Sequence, residues 1–159
     1  MRSFVKSKIS LLLGGLIYMC AATGIVHAKV TVVACVGDSH TYGWALDRNQ
    51  AYPAQMEEIL QRSDGQWVVH NFGVSGATVL RQGDNPYSTT RALAEKPDIV
   101  IFGFGPNATR SPNRGLIDAY FVSDYIDLIS EFSQLRPVPK MWICLPPAIH
   151  STAYTASPD

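Results

Sequence analysis

At 159 residues, 47% of them hydrophobic and 16% charged, the chain suits one domain with enough apolar side chains for a buried core. Its formal charge of zero hides an asymmetry: Arg2, Lys6 and Lys8 precede the first acidic residue, Asp38, so the chain beyond residue 28 is net acidic. That balance excludes nucleic acid as a partner and leaves no polybasic patch for anionic lipid.

The chain opens as an exported protein does. A basic start is followed by an apolar run from Ile9 to Val26, and Val26-His27-Ala28 offers small residues where a signal peptidase reads. A signal peptide over residues 1–28, cleaved after Ala28, is expected, with a secreted or periplasmic product and no stable membrane insertion. An uncleaved anchor is the alternative, because the run approaches the span of a bilayer. The bulky Ile17, Tyr18 and Met19 ahead of Cys20 argue against lipid attachment.

Two kinds of segment then alternate. Val30–Val36, Trp67–Phe72, Asp98–Phe104 and Lys140–Leu145 are short, rich in β-branched or aromatic residues and apolar on both sides, as strands covered on both faces are. Between the first two, Tyr52, Met56, Ile59 and Leu60 form a helical stripe that starts at Pro53 and ends near Gly65. Thr89 to Glu95 is a shorter helix, stopped by Pro97. The longest helix covers about Ile117 to Leu135, with Phe121, Val122, Tyr125, Leu128, Ile129, Phe132 and Leu135 on the core face and Pro137 and Pro139 beyond its end. This order predicts an α/β fold, a doubly wound parallel sheet with helices on both faces. The alternation stops after the fourth strand, one unit earlier than such sheets usually do, which reads as the N-terminal portion of a longer gene product. Cys35 and Cys144 fall in separate strand-like runs. A strand between them would put them about two spacings of ~4.8 Å apart, beyond disulfide reach, so both are expected as buried free thiols.

Three loops follow the first three strands on one edge of the sheet. They are Gly37-Asp38-Ser39, the run from Asn71 to Thr78, and Gly103-Phe104-Gly105-Pro106-Asn107. Ser39, Gly73 and Asn107 recur at intervals of one strand-helix unit, at the edge where open α/β sheets bind ligands. Acyl transfer explains the combination. A serine hydroxyl attacking an ester carbonyl creates a tetrahedral oxyanion, and backbone N–H groups at Ser39 and Gly73 with the Asn107 amide would receive it. Each element also has a plainer use: Asp and Ser cap turns, Gly73 turns the chain, and Asn107-Ala108-Thr109 spells a glycosylation acceptor. Neither a cluster with metal-ligand spacing nor a phosphate-cradling loop is present, so no metal and no cofactor is expected.

On these blocks the chain resembles the SGNH hydrolases of the GDSL-like esterase superfamily. Gly37-Asp38-Ser39 matches the first block, Gly73 the second and Gly105-Pro106-Asn107 the third. Ala51-Tyr52-Pro53-Ala54-Gln55, Asn71 to Thr78, Lys96-Pro97-Asp98-Ile99-Val100 and Cys144-Leu145-Pro146-Pro147 are similar to the bacterial sialate O-acetylesterase-like and carbohydrate esterase branch. The resemblance implies a three-layer α/β/α flavodoxin-like fold, with Ser39 as nucleophile and Gly73 and Asn107 completing the oxyanion hole. It also implies removal of O-acetyl groups from carbohydrates or another small ester through an acyl-enzyme. There are two departures. Ala108 stands where the family usually has Asp after the asparagine, and no Asp-x-x-His block, which holds the family's catalytic acid and base, occurs in the chain. Of the remaining histidines, His40 adjoins Ser39, His70 lies in the second strand, and His150 follows the fourth strand at the correct edge.

Three other readings stay open. An inactive carbohydrate-binding domain on an esterase scaffold suits the missing base and Ala108. A lipase- or lysophospholipase-type esterase is a second. In the third, Gly73-Val74-Ser75-Gly76-Ala77 approximates a nucleophile elbow with Ser75 as nucleophile. Tyr42, Trp44 and Tyr87 are candidates either to stack on sugar or to pack in the core.

Overall fold

A computed structural model describes residues 29–146. The leader read at residues 1–28 and His150 lie outside that range. Four parallel strands, β1 (Val30–Gly37), β2 (Gln66–Gly73), β3 (Ile99–Gly103) and β4 (Lys140–Ile143), form one sheet in the order β2-β1-β3-β4. Helices α1 (Ser39–Tyr42), α2 (Tyr52–Leu60), α3 (Thr90–Ala94) and α4 (Ile117–Ser133) connect them. The doubly wound α/β architecture is the one the alternation of segments implies.

Period-2 alternation splits β1 between two cores. Ala34 and Val36 face one side and join Val100, Phe102, Ala92 of α3, and Tyr125, Leu128 and Phe132 of α4. The aromatics there pack edge to face: Phe102 meets Phe132 with centroids 5.4 Å apart and rings at 80°. Phe102 and Phe132 are fully buried, each worth about 1.5–3 kcal/mol of transfer free energy. Cys35 faces the other side and is fully buried.

Several expectations about burial change. Val122 is 70% and Ile59 64% exposed, because each helix is wetted along the rim of its apolar stripe. Cys144 is exposed while Cys35 is buried, and both thiols are free. The reason is that β4 lies outermost: among the described residues it pairs only with β3, and Trp142 and Ile143 stand open. β3 separates the two cysteines, as the disulfide argument requires.

Candidate active site

The register places Gly37 opposite Gly73 on one side and Gly103 on the other, a row of three glycines across the carboxyl edge of the sheet. The first turn of α1 rests on this row. A Cβ on Gly73 would stand 2.1 Å from the Tyr42 backbone nitrogen and 2.5 Å from the Thr41 carbonyl carbon. One on Gly37 would stand 2.0 Å from Thr41 Oγ1. Only hydrogen fits beneath the helix, so the glycines set the height of Ser39, the first residue of α1.

Asp38 caps that helix. It is 1% exposed, and its Oδ1 accepts from the His40 N–H at 2.9 Å. His40 Nδ1 lies 3.1 Å from the same oxygen, while the other carboxylate oxygen, Oδ2, is buried and has no hydrogen-bond partner among the described residues. At the far end of α1, the Gly43 and Trp44 N–H groups both donate to the Ser39 carbonyl at 3.0 Å. Ser39 is half-buried, and among the described residues no side chain hydrogen-bonds its Oγ.

The second and third loops reach the same edge. The Val74 N–H donates to the Gly37 carbonyl at 2.9 Å, tying the loop after β2 to the end of β1. The Gly73 N–H is itself engaged, donating to Asn71 Oδ1 at 2.9 Å, so an oxyanion there would compete with Asn71. This differs from the unobstructed amide expected of Gly73, and the glycine's evident requirement is space for α1. Asn107 lies in a short 3₁₀ segment, Pro106–Thr109, and its Nδ2 donates to the Ala77 carbonyl at 2.9 Å. That bond uses one amide hydrogen and leaves the second for a ligand.

Sequence reasoning missed Asn113. It is fully buried; its Nδ2 donates to the Asn107 carbonyl at 2.9 Å and to Asp84 Oδ1 at 2.7 Å, and its Oδ1 accepts from the Asp84 N–H at 2.9 Å. Arg110 closes the group with a 3.1 Å ion pair to Asp84. Ala108, where an Asp was expected, is buried beside this network at 3% exposure. Nothing in the local pattern Ser111-Pro112-Asn113 signals that role.

The other candidates separate cleanly. His70 is half-buried in β2, 3.7 Å from Glu95 Oε2 and tilted against Phe72. Ser75 is exposed in a turn followed by an isolated bridge between Thr78 and Pro86, and no helix starts until Thr90, so the strand-turn-helix setting of a nucleophile elbow is not formed. Tyr87 packs: its hydroxyl donates to the Phe72 carbonyl at 2.8 Å and its ring meets Phe104 edge-on. A cleft of about 240 Å³ opens between the ends of β1, β3 and β4, lined by Asp38, His40, Tyr52, Phe104, Cys144 and Leu145 among others.

Comparison with known proteins agrees with this architecture. Over 87 residues the chain is 45% identical to an acetylxylan esterase of Xylanibacter ruminicola, a stretch that is 51% of this chain and 18% of that protein. The chain thus matches less than a fifth of that relative. The crystal structure of AlinE4, an SGNH-hydrolase family esterase, superimposes with a TM-score of 0.54 at 24% identity, covering 73% of this chain and 59% of that one. A two-domain esterase active on acetylated mannans gives 0.58 at 20% identity, over 73% of this chain and 30% of its own. The model of the GDSL-like lipase/acylhydrolase family matches residues 35–158, which takes in Ser39, Gly73 and Asn107 together, and the chain belongs to that family.

Proposed function

We propose that the chain carries the nucleophile and oxyanion-binding part of a serine ester hydrolase that removes O-acetyl groups from carbohydrates. The observation that carries this reading is the seat of Ser39: a half-buried serine at the carboxyl end of β1, held over a row of glycines, with Asn107 on the neighbouring loop. Ser39 Oγ attacks the acetyl carbonyl and gives up its proton to a base, and the oxyanion is received by the backbone N–H of Ser39 and by the free hydrogen of the Asn107 amide. The sugar hydroxyl leaves with a proton, and water then releases acetate from the acyl-enzyme.

The acetylxylan esterase relative supports a plant-type acetylated polysaccharide over sialic acid as the substrate class. An exported location, directed by the apolar leader, suits a polymer that does not enter cells. The test, made on the full-length gene product, is twofold: labelling of Ser39 by a fluorophosphonate, and acetate release from acetylated xylo-oligosaccharides. Both are expected to vanish in Ser39→Ala. Acetate release that survives that substitution overturns the reading. Sugar binding by a chain that never labels would instead favour the binding-domain alternative.

A further inference from the structure

Residues 43–51 form a closed loop that the catalytic scaffold does not explain. Gly43, at φ +85°, and the fully buried Ala51 touch at its neck: a Cβ on Gly43 would stand 2.6 Å from that of Ala51. Everything between them is exposed. Compact surface loops with adjoining ends are frequently functional. This one is internally braced, with the Leu46 N–H donating to the Gly43 carbonyl, the Gln50 N–H to the Asp47 carbonyl and Gln55 Nε2 to the Gln50 carbonyl. It also carries backbone strain, since Ala45 sits at φ +63°, a region side-chain-bearing residues rarely enter.

The consequence is the display of one side chain. Trp44 is 72% exposed, far more than a residue of its apolar area usually is. Its backbone nitrogen is bonded at 3.0 Å to the carbonyl of Ser39. The neighbouring Tyr42 ring is already covered by the Arg48 guanidinium, 4.6 Å from its centroid, which leaves the indole as the loop's open aromatic face. Asp47, Asn49 and Gln50 of the same loop are exposed polar residues.

We infer that Trp44 is a sugar-stacking platform, a subsite that holds a pyranose ring of the acetylated polysaccharide next to the nucleophile. A pyranose suits the position because its C–H face is apolar while its hydroxyls need polar partners. An exposed indole on a loop that also carries exposed amide and carboxylate groups offers both, whereas an acyl chain would need a continuous apolar groove. The inference rests on the esterase reading for the identity of the ligand.

The test measures affinity of the 159-residue chain for acetylated xylo-oligosaccharides by titration calorimetry, in a Ser39→Ala background to prevent turnover. Trp44→Ala should weaken binding roughly tenfold, the scale of one lost aromatic contact, and Trp44→Phe should recover most of it. Trp142→Ala, at an exposed tryptophan on β4, should leave affinity unchanged. Equal affinity in Trp44→Ala and its parent overturns the subsite, as does an equal loss in Trp142→Ala. Fluorophosphonate labelling of the full-length gene product with Ser39 intact reads the esterase assignment separately. Labelling with no Trp44 effect removes the subsite alone, and a Trp44 effect without labelling removes the hydrolase reading and keeps the sugar site.

Discussion

Asn113, with no solvent exposure, donates a 2.9 Å hydrogen bond to the backbone carbonyl of Asn107. The candidate oxyanion donor is thus held from behind by a second asparagine whose amide is fully used. Replacing Asn113 by Ala takes the partner from the Asn107 carbonyl and the Asp84 N–H and empties the space of a fully buried side chain, while Asp84 keeps its ion pair with Arg110. The expected loss is about 3 kcal/mol in urea unfolding. Asn113→Asp should do no better, because it sets a carboxylate against Asp84 and an acceptor against a carbonyl. A stable Asn113→Asp protein would show the network to be dispensable.

Asn107 itself can be tested with less structural damage. Asn107→Ala removes its one bond to Ala77 and the hydrogen offered to the oxyanion. The rate of fluorophosphonate reaction at Ser39 should fall about 100- to 1,000-fold, as for other oxyanion donors. An unchanged rate with normal folding would take Asn107 out of the site.

Gly73 makes a distinct prediction, because its role in the structure is spatial. Gly73→Ala drives a methyl group into the Tyr42 nitrogen and Thr41 carbonyl carbon, backbone atoms that cannot swing aside. The cost should be at least about 1–3 kcal/mol, and Ser39 labelling should fall with the displaced α1. If stability stays normal while labelling is lost, Gly73 acts through its amide instead.

The two thiols should differ sharply. Burial pushes the Cys35 pKa up to about 11, while Cys144 is exposed. At pH 8, alkylation followed by peptide mapping should find Cys144 modified and Cys35 untouched until denaturant is added. Equal modification of both in the folded chain would contradict the placement of Cys35.

At acid pH the relevant group is Asp98. Its hydrogen bond from the Lys29 ammonium and a second from the Val32 N–H, at 3.0 Å, hold its carboxyl below the usual carboxylate range. A group more acidic when folded stabilises the fold above its unfolded pKa, and that contribution is lost as pH falls through the folded value. The effect should therefore be complete at neutral pH and fade below about pH 4. Asp98→Asn should lower stability at pH 7 and show a shallower acid limb in unfolding titrations. An acid limb identical to that of the parent would assign acid sensitivity elsewhere.

The fold was readable because its signals are local: β-branched runs for strands, a 3.6-residue stripe for α4, and prolines at helix ends. The three site loops were readable for the same reason, each being a short motif at a strand's end. What escaped depends on register and on distance. That Gly37, Gly73 and Gly103 stand in one row follows only from how three strands slide against one another, so Gly73 read as a free amide rather than as a seat for a helix. Asn113 escaped because its partner Asp84 lies 29 residues away. The exposure of Ile59, Val122 and Cys144 depends on which neighbours cover each element, which a stripe on a helix does not encode.

The outer side of β4 also bears on how the chain behaves at high concentration. Lys140 supplies the strand's one charge, while Trp142 at 65% and Ile143 at 54% exposure flank backbone groups that no described strand pairs. Such an edge is a template for another strand, and Lys140 is the one charge along it that repels a like copy. Preparations of these residues should associate as concentration rises, and Trp142→Lys should shift the sedimentation profile back toward the monomer.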